Sequence, residues 1–192
     1  TNCMLGNTTA SNNTAVGYKA LEANTTGTEN VAVGYLTLDD NTTANYNTAL
    51  GSQALANTTT GGYNTGVGRA AMALNTTGVN NVALGYNSLY YNTTGDQNVA
   101  IGKDALGSNT TADDNTAVGY NALGANTTGT QNVAVGYAAL DANTTADNNT
   151  AVGYNALTMN TTGDGNTALG RASLEQTTTG ANNTAVGRRA ML

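Results

Sequence analysis

One glycine recurs at positions 17, 34, 51, 68, 85, 102, 119, 136, 153, 170 and 187, always 17 residues after the last. A globular domain accepts loops of varied length. An interval kept from end to end without an insertion means that every repeat occupies an equivalent place in a regular stack. The 192-residue chain therefore reads as a single repeat array over residues 1–192 and as all-β: a parallel β-solenoid, or β-roll, of eleven 17-residue coils. Aligned on the glycine, the repeat runs Asn, Thr or Val, Ala, an aliphatic residue, Gly, often Tyr, then a variable residue, Ala, Leu, two variable residues, Asn-Thr-Thr, and Gly or Ala. Asn115-Thr116-Ala117-Val118-Gly119-Tyr120-Asn121-Ala122-Leu123 and Asn149-Thr150-Ala151-Val152-Gly153-Tyr154-Asn155-Ala156-Leu157 show it well.

The residue four before the glycine is asparagine in every copy: Asn13, Asn30, Asn47, Asn64, Asn81, Asn98, Asn115, Asn132, Asn149, Asn166 and Asn183. A turn would accept Asp, Ser or Gly there as well, so complete occupancy points to stacking. Coils one strand spacing apart, ~4.8 Å, bring successive amides within hydrogen-bonding reach, which makes this column an asparagine ladder. Two further slots never turn polar. One is the aliphatic slot before the glycine (Val16, Val33, Leu50 and their equivalents to Val186), the other the Leu/Met slot four after it (Leu21, Leu38, Leu55, Met72 and onward to Met191). Both are expected to be core columns.

Within Asn-Thr-Ala-Val-Gly, a period of two puts Val and the preceding Thr or Val on one face and Ala and Gly on the other. The alanine column from Ala15 to Ala185 is broken only by Gly66, and a face turned to water has no need to be so small. With two large apolar side chains per coil against an ordering cost of ~1–2 kcal/mol per residue, the coil looks too thin to stand alone. The expectation is a homotrimer or other homo-oligomer in which the Ala-Gly side is the close approach between chains. The alternative packs that side against the opposite wall of the same coil. Segments such as Tyr18–Ala23 and Arg69–Leu74 are helix-friendly by propensity, which leaves a short helical turn per coil open.

Composition removes whole classes of function. The chain has no His, so Ser-His-Asp and Cys-His engines and imidazole-held zinc or haem are excluded. A formal charge of −6 with only six Lys plus Arg argues against nucleic acid, whose affinity rests on cations meeting phosphates. No apolar run reaches the ~18 residues of a membrane span. With one cysteine there is no internal disulfide framework. No phosphate loop, nucleophile elbow or acid–base pair can be argued, so neither an enzyme nor a cofactor is expected.

Residues 17 apart stack, which makes some like charges neighbours: Glu22 over Asp39, Asp96 over Asp113 with Asp114 beside it, and Asp147 over Asp164. Stacked carboxylates repel unless a cation bridges them or one keeps its proton, which makes these the candidate sites for calcium beside the plainer reading of a solvated acidic edge. The slot after the glycine holds Tyr18, Tyr35, Tyr86, Tyr120, Tyr137 and Tyr154, with Ser, Arg or Lys elsewhere. Tolerance of cations places it in solvent, where a tyrosine column could contact glycans or serve only as a spacer surface. The Thr-Thr pair in each coil invites an ice-binding reading, but adjacent residues in an extended chain point to opposite sides, so one threonine column at most can face out. The Asn-Thr-Thr triplets are N-glycosylation sequons too crowded for use on every coil. Either that asparagine points inward or the chain never meets the machinery.

The Asn-Thr-Ala-Val-Gly and Asn-Val-Ala-Val-Gly units resemble the short Asn-Ser-Val-Ala-Ile-Gly repeats of YadA-like trimeric autotransporter heads. The longer Asn-Thr-Ala-Val-Gly-Tyr-Asn-Ala-Leu…Asn-Thr-Thr-Gly string is similar to arrays in phage tail fibres and bacterial surface proteins. The resemblance covers the whole chain. It implies a homotrimeric parallel β-roll that is extracellular, on a cell surface or a virion fibre, serving as an adhesive or structural shaft, or alternatively as a glycan- or calcium-binding module for host attachment. Cys3 and Met4 already fit the register, Met191 and Leu192 leave it mid-repeat, and neither end carries a polar cap. The array is therefore expected to be an excerpt of a longer fibre.

Overall fold

A computed structural model describes residues 2–191; Thr1 and Leu192, the last residue of the closing partial repeat, lie outside the described residues. Eleven three-residue strands, from β1 (Thr14–Val16) to β11 (Thr184–Val186), follow one another at the repeat interval. They form one parallel sheet in chain order, β1 to β11. The register never slips: Thr14 pairs with Val31, Ala15 with Ala32 and Val16 with Val33, and the same relation holds at the last pair, Thr167 with Thr184. The molecule is a β-solenoid, and each glycine at the strand end marks a corner. The corner glycines have φ between +126° and +147°. A Cβ on Gly119 would collide with the carbonyl of Gly136 in the next coil, so both the backbone angle and the close approach require glycine.

No helical turn forms among the described residues. The helix-friendly segment is a chain of turns in which the second and fourth residues after the glycine are left-handed, as at Lys19 (φ +56°) and Leu21 (φ +53°). Left-handed residues interleaved with right-handed ones cannot sustain i to i−4 bonding. The amide of Leu21 instead donates to Thr37 O of the next coil at 3.0 Å. Stacking thus overrides local propensity.

Two of the expected faces exchange places. The aliphatic column before the glycine is not core. Val33, Leu50 and Leu169 are 36–47% exposed, the same slot in the middle coils is half-buried, and Val16 and Val186 at the two end strands are the most exposed; the columns of Thr or Val and of Val, Leu or Ile form the outer face of the sheet. The alanine column is the interior. Ala32, Ala49, Ala83, Ala117 and Ala151 are wholly inaccessible, as are Leu21 through Leu157 on the facing wall. The alanine side is therefore not the contact between chains; it packs against the opposite wall of its own coil. The slot is small because the walls are close: a Cβ at Gly66, the lone exception, would lie 3.2 Å from Leu55 Cγ.

The asparagine ladder is present and buried. At all ten steps from Asn13 to Asn183, Oδ1 of one rung accepts the backbone N–H of the next at 2.8–3.1 Å. The side-chain amides also donate to carbonyls such as Gly61 O and Gly78 O. A second ladder runs beside it, built from the asparagines of the Asn-Thr-Thr triplets. The Nδ2 of Asn41, Asn92, Asn109, Asn126, Asn143 and Asn160 donates to Oδ1 of the preceding rung at 2.7–3.3 Å. These inward sequon asparagines leave no room for a glycan. The first threonine of each pair turns its hydroxyl to the next coil, Thr25 Oγ1 to Thr42 O at 3.0 Å, and the second faces out.

Candidate functional site

Every coil has the same backbone, so chemistry on the surface is decided by the side chains in the variable slots. The slot after the corner glycine is exposed, as its mixture of Tyr, Arg and Lys requires. Coil stacking brings those side chains into a continuous pile. Tyr120 and Tyr137 are stacked with centroids 5.2 Å apart and planes 11° apart, Tyr137 and Tyr154 at 5.1 Å and 9°, and Tyr18 and Tyr35 at 5.5 Å and 13°. The cations belong to the same pile. Arg69 and Lys103 flank the Tyr86 ring at 5.3 and 5.9 Å, Lys103 also caps Tyr120 at 5.1 Å, and Arg171 closes over Tyr154 at 5.6 Å. From Arg69 to Arg171 the ring faces are covered by one another or by a cation, and edges and hydroxyls are what remain outward.

The acidic column sits where stacking places it, but its carboxylates are occupied by the backbone. Asp96 Oδ1 accepts the amide of Val79 and Asp113 Oδ1 that of Asp96, both at 2.7 Å. Asp147 Oδ1 accepts the amide of Thr130 at 2.6 Å, and Asp164 Oδ1 that of Asp147 at 2.9 Å. Asn45 does the same for Thr28, so the slot selects any side chain with a carbonyl-type oxygen at that reach. These charge-assisted bonds stitch coils together in the sense opposite to the asparagine ladders. Asp114 is exposed beside them, its backbone left-handed and its amide bonded to Asp96 O. Among the described residues no three His, Cys, Asp or Glu side chains gather as a metal site.

Other charges act in pairs. Lys19 and Glu22 form an ion pair at 2.7 Å, and that hydrogen bond holds the ammonium above its ordinary pKa. Asp39, stacked on Glu22, is pushed up chiefly by burial, with Lys19 opposing and Glu22 adding to the rise. Asp141 is raised by burial too, against a hydrogen bond from Asn121 Nδ2 at 2.5 Å.

One place departs from the uniform surface. In the two slots that follow the Leu column, most coils carry small or acidic residues, but the coil from Gly85 carries Tyr90 and Tyr91. Their rings meet edge to face, centroids 4.7 Å apart and planes at 85°. The next coils hold Gly107 and Ser108, then Gly124, in the same slots. This step from large to small opens a cleft of 460 Å³, into which Gln53, Arg69, Tyr86, Asn87, Asp104 and Asn121 also project. Reading the repeat for its consensus passes over this cleft; the signal is the local departure from consensus at Tyr90-Tyr91 and Gly107-Ser108. Comparison of the chain with known protein families, curated proteins and solved structures finds no match.

Proposed function

We propose that the chain is a segment of a structural shaft in an extracellular fibre, non-catalytic in itself, whose work is to set a rigid distance along its axis. What supports this reading is the asparagine ladder, unbroken from Asn13 to Asn183, with a second ladder beside it through most coils, inside a register that never slips. Such a structure gains length without changing in kind.

The shaft associates with further copies of itself through the outer face of the sheet. In eleven coils the two outward columns contain only Thr, Val, Leu and Ile, and no charge enters either column. A second copy presents columns at the same pitch, so ridges and grooves match along the whole contact, and the Val, Leu or Ile column runs through it as a continuous apolar ridge beside the Thr or Val column. Sedimentation of the fragment tests this. Val118→Glu, a charge on the outer face (β7, Thr116–Val118), should convert an oligomer to monomer with an unchanged circular dichroism spectrum. A wild-type chain that stays monomeric at high concentration would remove the self-association.

A further inference from the structure

We infer that the cleft at Tyr90 and Tyr91 is a binding site for a carbohydrate, recognised as one or two pyranose rings of a surface glycan. This goes beyond the shaft reading, which needs no ligand at all. Its volume of 460 Å³ lies in the range of small-molecule sites. Sugar rings have an apolar C–H face and an equatorial rim of hydroxyls, each both donor and acceptor. The cleft offers the complement of both. Tyr90 and Tyr91 meet edge to face, and no further ring or cation stacks on either, whereas the piled tyrosines from Arg69 to Arg171 have their faces covered by one another or by a cation. Around it stand the side-chain amides of Gln53 and Asn87, which bond to no other described residue, and the carboxylate of Asp104, held at one oxygen by Lys103 at 3.1 Å. Amides and a carboxylate beside an exposed aromatic face read hydroxyl pairs and a ring face together. A nucleotide is disfavoured because Arg69 is the one cation that lines the cleft, and its Nη1 already lies 3.1 Å from the Tyr86 hydroxyl.

The site is also built at the right scale for selectivity within a repeat. It draws on five successive coils, from Gln53 to Gly124, and the combination of large and small residues that makes it occurs at this one height of the stack. A repetitive shaft therefore carries a single address rather than a lattice of equivalent ones.

The test is retention of the fluorescently labelled chain on an array of immobilised oligosaccharides. The wild type is expected to be retained by at least one sugar class. Tyr91→Ala and Gly107→Glu should each lower that retention at least tenfold. The second variant fills the cleft with a residue that the same slot already holds at Glu22 and Glu175, so its fold is not at issue. Thermal melts of both variants check that the fold is kept. Tyr137→Ala, in the pile, should bind as the wild type does. No retention of the wild type on any sugar, retention unchanged in Gly107→Glu, or loss with Tyr137→Ala and not with Tyr91→Ala would each overturn the proposal. None of these outcomes bears on the shaft reading, which sedimentation tests.

Discussion

At the scale of single residues, the second ladder has a flaw that can be repaired. Its rungs run Asn24, Asn41, then Thr58, then Asn75 onward. At the gap, Asn41 Oδ1 and Thr58 Oγ1 are both buried without a hydrogen-bond partner. An asparagine at 58 would donate to Asn41 and accept from Asn75, as Asn92 does for its neighbours. Thr58→Asn is therefore expected to stabilise the fold by about 1 kcal/mol, the net worth of a buried hydrogen bond, read as a raised midpoint in denaturant melts. An unchanged or lowered midpoint would mean that the column is not a ladder. The same gap explains what the sequence discloses. The column from Asn13 to Asn183 is legible because nothing else ever stands in it. The second is hidden, since Thr58 and Thr177 interrupt it and Asn-Thr-Thr also reads as a sequon. The acidic slots are legible as neighbours, but that their oxygens serve the backbone of the adjacent coil depends on reach and direction, which spacing does not contain.

At the scale of the repeated element, one rule of substitution follows from backbone angle alone. The inward Leu slot has φ between +50° and +54° and holds only Leu or Met, whereas the aliphatic slot on the strand holds Val, Leu or Ile. A β-branched side chain crowds the backbone in the left-handed region and suits the extended one. Leu123→Ile, which conserves volume, should cost about 1–3 kcal/mol beyond an ordinary core swap, while Leu123→Met should be mild because Met72 occupies the same slot. Equal melting temperatures for the two variants would refute the rule. Period two correctly divides the strand into two faces. Which of them is interior turns on how close the facing wall stands, a tertiary distance that a one-strand pattern cannot carry. That is why the alanines read as a contact between chains and prove to be the inner wall.

At the scale of the whole molecule, identical coils make length a free variable. Deleting Lys103–Gly119, one complete period, joins Gly102 to Tyr120 and leaves every column in register. The shortened chain should keep the circular dichroism spectrum and cooperative melting of the parent, because each coil contacts only its neighbours. Removing 103–110 alone shifts all later columns off their partners, and that chain should not fold. If both deletions behave alike, the strict register has no structural meaning.

The hydrogen bonds that join coil to coil, of which Thr116 N to Asn132 O at 2.8 Å is one, lie along the axis of the stack. Axial tension on the chain ends therefore loads the interfaces between coils in series, so every interface bears the same force, and the terminal coil, held by one neighbour only, is the first to peel. Each coil that peels away pays out about 50–55 Å of slack from its 17 residues. The rest of the stack remains intact and ready to rewind. Pulled along its axis, the proposed shaft should therefore yield in equal steps whose size is fixed by the repeat.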